Sequence, residues 1–88
     1  MLKEINEVIK LAKDTNTEVY VVGGYVRDFL LKKKTLDIDL VVSENAELFA
    51  KKLAKKINGK CFVLHSDLQV YRVAVKNNPD MEYIDISL

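Results

Sequence analysis

Two short stretches of this 88-residue chain hold residues whose types and spacing could do chemistry: Gly23-Gly24 ahead of Arg27, and Asp37 and Asp39 on either side of Ile38. Residues two apart on a strand project from one face, with Cα atoms about 6.5–7 Å apart. At that separation both aspartates can ligate the same hard cation through oxygen. The spacing also sets like charges side by side, which raises at least one pKa unless a cation or basic group neutralises them. A sheet face open to water is the plain alternative. Asp85 adds a third carboxylate: in the run Tyr83 to Leu88, Ile84, Ile86 and Leu88 share one face and Asp85 turns the other way. If the two strands are neighbours, the three carboxylates converge. Such a cluster can hold two Mg²⁺ ions about 3.5–4 Å apart, one activating an attacking hydroxyl and one steadying a leaving pyrophosphate. The glycine pair lets backbone N–H groups come close to a phosphate at a helix N-terminus, though it can also simply make a tight turn. Arg27 offers a planar guanidinium for phosphate oxygens. Together these parts point to nucleotidyl transfer.

The elements that must position them follow from periodicity. Leu2, Ile5, Val8, Ile9 and Ala12 recur at three- and four-residue steps, which predicts a helix over 2–14 that breaks at Asp14-Thr15-Asn16. Val19 to Val22 is a β-branched and aromatic run stopped by the glycines, a buried strand entering a turn. Tyr25 to Leu31 resumes helical spacing and closes on Lys32-Lys33-Lys34. Asp37 to Val42 alternates as a strand. Ser43 or Asn45 can cap a helix with the stripe Ala46, Phe49, Ala50, Leu53, Ala54 and Ile57, ended by Asn58-Gly59. Strands are expected at 60–64, 68–76 and 82–88, the last two joined as a hairpin through Asn77-Asn78-Pro79-Asp80. The order α-β-α-β-α-β-β-β gives an α+β domain: a mixed sheet of about five strands with helices on one face.

The run Val-Tyr-Val-Val-Gly-Gly-Tyr-Val-Arg-Asp followed by Asp-Ile-Asp-Leu resembles the head domain of class II tRNA nucleotidyltransferases and bacterial poly(A) polymerases, in the DNA polymerase β superfamily. The likeness extends through Val70 to Val73 and on to Asp85, nearly the whole chain. It implies the polymerase β-like nucleotidyltransferase fold, with Gly23, Gly24, Arg27 and Asp28 holding the nucleotide. It also implies Asp37 and Asp39 as catalytic metal ligands and Asp85 as the third carboxylate, where family members often carry glutamate. Two Mg²⁺ ions would serve as cofactors, an NTP (ATP and also CTP) as substrate, and an RNA 3′ end, above all of tRNA, as acceptor. CCA, CC, A and poly(A) addition all stay open. The family's next motif, of the Arg-Arg-Asp-Phe-Thr type, and its base-reading neck are absent, so a folded but silent binding module is a rival. A minimal transferase acting on a protein or small molecule is another, although GGxVRD in place of that group's Gly-Ser pair speaks against it.

Composition sets the remaining bounds. At 88 residues, 49% apolar and 31% charged, the chain is one small globular domain over 1–88, and the strand pattern still running at Leu88 suggests a truncated C-terminal end. The net charge of +1 announces no partner, and no obligate protein partner is evident. No apolar run is long enough for a membrane span, and the start lacks the pattern of a signal peptide, so a cytoplasmic setting is expected. The lone Cys61 lies in an apolar run as a plain buried thiol. Lys32 to Lys34 could meet phosphates or form a solvated helix end; Lys51, Lys52, Lys55 and Lys56 oppose the apolar stripe and face water. His65, before a turn, is a surface or hydrogen-bonded residue. Tyr71 and Arg72 could stack on or pair with a nucleotide, and alternation gives them ordinary sheet roles too.

Overall fold

In α1 (Leu2–Asp14) the face turned to the core carries Glu4, Val8 and Leu11, with Ile5 and Ala12 partly buried beside them. This differs from the expected stripe at one edge: Ile9 is half exposed and Leu11 is buried. Steps of four and three from Glu4 reach Val8 and Leu11, so the buried face is centred about one residue away from Ile9. Glu4 belongs to that face because its Oε1 accepts a hydrogen bond from Asn78 Nδ2 at 2.9 Å, which ties the start of the helix to the segment ahead of the last strand.

The computed structural model describes residues 2–22, 36–78 and 81–88. Within them lie β1 (Val19–Val22), β2 (Leu36–Val42), α2 (Ala46–Lys56), β3 (Lys60–His65), β4 (Val70–Ala74) and β5 (Met81–Ser87). The helix expected at Tyr25 to Leu31, the lysines 32–34, and Pro79 and Asp80 of the expected hairpin lie outside the described residues.

The five strands form one mixed sheet in the order β1-β2-β5-β4-β3. β1 runs antiparallel to β2, β2 parallel to β5, and β4 antiparallel to both β5 and β3. A parallel pair needs a long crossover; here the crossover from β2 to β5 carries α2 and the β3–β4 hairpin. The helix-covered face contributes Ile38, Leu40, Val42, Tyr71, Val73, Ile84 and Ile86, all buried. It packs on Phe49, Ala50, Leu53 and Ala54 of α2 and on Val8 and Leu11 of α1. No helix of the described residues is long and apolar enough to cross a membrane.

The two described helices end in the same way. Asn16 (φ 52°) and Asn58 (φ 57°) are left-handed, a conformation asparagine tolerates. The next residue's N–H reaches back to the helix: Thr17 N to Ala12 O at 2.9 Å, and Gly59 N to Ala54 O at 2.8 Å. This is the Schellman arrangement with asparagine in place of the usual glycine. At the start of α2, Asn45 rather than Ser43 is the cap, its side chain accepting from Leu48 N at 3.2 Å. Ser43 Oγ instead accepts from Glu18 N at 3.0 Å and joins the loop after β2 to the start of β1. β4 starts later than expected, because Gln69 takes a left-handed φ of 51° in the turn from β3.

Gly59 is needed for space, since a Cβ there would run into the backbone carbonyl of Ala74 on β4. Gly59→Ala should therefore cost about 1–3 kcal/mol, the usual penalty of overpacking a fitted site. Thermal denaturation checks this: a midpoint lowered by several degrees is expected, and an unchanged midpoint would mean that the strand yields freely.

Candidate active site

The face of the sheet turned away from α1 and α2 carries the acidic residues. On β2, Ile38 and Leu40 are buried beneath the helices, so Asp37, Asp39 and Val41 turn outward. On β5, Ile84 and Ile86 are buried, and Tyr83, Asp85 and Ser87 turn outward. The parallel register then aligns Ile38 with Ile84, Asp39 with Asp85 and Leu40 with Ile86. Two carboxylates thus stand directly opposite each other on adjacent strands, with Asp37 two residues away on the same face.

That alignment extends across the sheet. Val22 pairs with Asp39, Asp85 with Arg72, and Arg72 with Phe62, so one transverse row reads Val22, Asp39, Asp85, Arg72, Phe62. Arg72 donates Nε to Asp85 Oδ1 at 2.8 Å and Nη2 to Asp85 Oδ2 at 3.0 Å. Its guanidinium carbon lies 4.3 Å from the centroid of the Tyr83 ring, a cation–π stack with the neighbouring outward residue of β5.

Electrostatics mark Asp39 as the strained member. Its pKa is raised, first by burial, then by the negative charges of Asp85 and Asp37, with Arg72 partly offsetting them. A cation beside Asp37 and Asp39 would relieve that repulsion, and paired carboxylate oxygens suit a hard divalent ion. The donor set therefore fits such a metal at Asp37 and Asp39. Asp85 stands beside them with both oxygens engaged by Arg72, and among the described residues no three His, Cys, Asp or Glu are gathered closely enough to hold one ion.

The other candidates sort by position. β1 ends at Val22, the register partner of Asp39. Gly23, Gly24, Arg27 and Asp28 come after it in the chain and lie outside the described residues. Tyr71 is buried on the helix side and cannot reach a nucleotide on the acidic face, whereas Arg72 is on that face. His65 is exposed, with Nδ1 accepting from Leu68 N at 3.2 Å, a turn contact as expected. Cys61 is half-buried and packs against the core, and burial pushes its thiol pKa up, as suits an unreactive thiol. Lys51, Lys52, Lys55 and Lys56 are exposed, as their spacing implied. Sequence reasoning left the role of Arg72 open; the available signal was its alternation with Val73, which sets it on the face opposite the core.

Comparison with known proteins identifies the family to which this fold belongs. A family model, the poly(A) polymerase head domain, matches residues 19–87. The CC-adding tRNA nucleotidyltransferase of Geobacter sulfurreducens is 35% identical over 69 residues, covering 78% of this chain and 16% of that protein. The A-adding tRNA nucleotidyltransferase of Aquifex aeolicus is 54% identical over 37 residues, covering 42% of this chain and 4% of that protein. Among solved structures, the Thermotoga maritima CCA-adding enzyme complexed with tRNA superposes with a TM-score of 0.73 at 40% identity, over 91% of this chain and 18% of that one. A tRNA nucleotidyltransferase complexed with a primer tRNA and an incoming ATP analog gives a TM-score of 0.73 at 29% identity, over 91% of this chain and 22% of that one. The chain thus spans about a fifth or less of each of these proteins. On these matches the chain belongs to the poly(A) polymerase head-domain family, the head shared by class II tRNA nucleotidyltransferases and bacterial poly(A) polymerases.

Proposed function

We propose that this chain is the catalytic head of an RNA nucleotidyltransferase that moves a nucleoside monophosphate from an NTP to an RNA 3′ end, in tRNA CCA, CC or A addition or in polyadenylation. The observation that carries it is the in-register pair Asp39 and Asp85 on parallel strands, with Asp37 on the same outward face. In the reaction the RNA 3′ hydroxyl oxygen attacks the α-phosphorus of the NTP. A new P–O bond forms, the bond to pyrophosphate breaks, and the hydroxyl proton passes to solvent water. Asp37 and Asp39 would hold Mg²⁺, with Asp85 completing the set. When bound, the two ions supply the Lewis acidity that lowers the hydroxyl pKa and offsets charge on the leaving pyrophosphate. Gly23 and Gly24 would offer backbone N–H groups to the triphosphate, Arg27 a guanidinium to its oxygens, and Asp28 would complete that nucleotide-holding segment. ATP and CTP are the expected nucleotides and tRNA the expected acceptor, in keeping with the complexes formed by the solved relatives.

Titrating the chain with Mg²⁺ or Mn²⁺ in the presence of ATP tests this directly. Loss of even an outer-shell partner costs metal affinity about 10–100-fold, so Asp39→Ala, which removes a direct ligand, should weaken metal-dependent ATP binding by at least about tenfold. Unchanged binding in a folded variant would remove the site.

A site that crowds carboxylates should also cost stability, with a definite pH dependence. Because folding raises the pKa of Asp39, the fold favours its neutral form; the ionised carboxylate destabilises at neutral pH, and the cost disappears as pH falls through the folded pKa. Asp39→Asn should therefore raise the melting temperature at pH 7 in metal-free buffer and show no gain below about pH 4, near the ordinary carboxylate range. Melting curves across that window, compared with wild type, would count against the crowding if the variant were less stable at pH 7.

A further inference from the structure

The deepest unexplained feature of the acidic face is the grip of Arg72 on Asp85. A guanidinium that meets both carboxylate oxygens, at 2.8 and 3.0 Å, and stacks on Tyr83 is fixed in plane and in rotation. The side chains are 34% and 19% exposed, so the pair is neither fully solvated nor sealed off. On its other flank Asp85 faces Asp39 in register. Asp85 thus sits between a cation it already holds and an anion with which it would share a metal. Its two oxygens offer about four lone-pair sites, and the fork uses one on each oxygen. Three aspartates and one arginine leave the cluster with a net charge of −2 (three negative charges against one positive), so a divalent ion is still attracted with Arg72 in place.

Building on the metal site proposed above, we propose that Arg72 is a positioning residue for it. Arg72 keeps Asp85 aligned and partly neutralised, and Asp85 becomes a ligand to a divalent cation on Asp37 and Asp39 only as Arg72 gives up one of its oxygens. Asp37 and Asp39 then form the constant part of the site and Asp85 the exchangeable part. The stack on Tyr83 gives the released guanidinium a place to stay, so that it remains beside the site as a positive group on the acidic face.

The test separates this idea from the metal reading on which it rests. In the wild-type chain, Mg²⁺ titration followed on the Arg72 Nε–H resonance by NMR should move that signal in step with binding, and Asp39→Ala should abolish both changes. Arg72→Lys keeps the charge but loses the planar fork. It should bind Mn²⁺ about two- to tenfold more tightly than wild type, the range that competition from a partly exposed bidentate pair allows. In an Asp85→Asn background the same substitution should change nothing. Metal binding that depends on Asp39 while the Arg72 signal stays still, or an Arg72→Lys affinity equal to or weaker than wild type, would overturn the role of Arg72 and leave the metal site standing. No Asp39-dependent binding at all would overturn both. The wild-type NMR titration decides the question even if the lysine variant fails to fold.

Discussion

Everything on the acidic face depends on the parallel pairing of β2 with β5. Because side chains alternate, the register that buries Ile38 and Leu40 beside Ile84 and Ile86 also sets Asp39 opposite Asp85. A slip of one residue would turn the aliphatic set to water and the aspartates into the core. Magnitudes show which effect prevails. Each buried aliphatic side chain contributes roughly 1.5–3 kcal/mol, and four of them line this strand pair. Repulsion between two carboxylates about 4 Å apart is about 1 kcal/mol in water and about 4 at a protein surface. The apolar side of the ladder can therefore hold like charges together on the other side.

The rest of the fold supports that pair from both directions. β4 lies against β5 and delivers Arg72 to Asp85, while its inward residues Tyr71 and Val73 extend the same core. α2 covers the sheet and ends at Asn58-Gly59, where the close approach to Ala74 fixes the start of β3 and with it the β3–β4 hairpin. At the same end, the bond from Asn78 to Glu4 ties the segment before β5 to α1. Packing thus reaches the charges indirectly, through strand register rather than through contact with the carboxylates.

Much of this was legible in the sequence because the relevant patterns are local. Alternation in Asp37 to Val42 and in Tyr83 to Leu88 was enough to put the three aspartates on an outward face, and the stripe of α2 was plain from its three- and four-residue steps. The strand ends and caps were less legible. The left-handed Gln69 shortened β4, and Ser43 and Asn45 were equal candidates until the contact with Glu18 claimed the serine. In α1, Ile9 and Leu11 are equally apolar, and only the position of the sheet decides which is covered. The Arg72–Asp85 fork was legible only in part: the expected hairpin sets β4 beside β5 and alternation turns both residues outward, but the register that makes Arg72 the partner of Asp85 is not written in either strand alone.

The central claim is that Asp37 and Asp39 form the constant part of a divalent-metal site on the face of this sheet turned away from α1 and α2. The most direct measurement is a crystal structure of the chain grown with Mn²⁺ and a non-hydrolysable ATP analogue, with the metal located by its anomalous scattering. The account predicts an anomalous peak within coordination distance of both carboxylates. A fully occupied metal elsewhere, or none beside those two aspartates with the nucleotide bound, would contradict it.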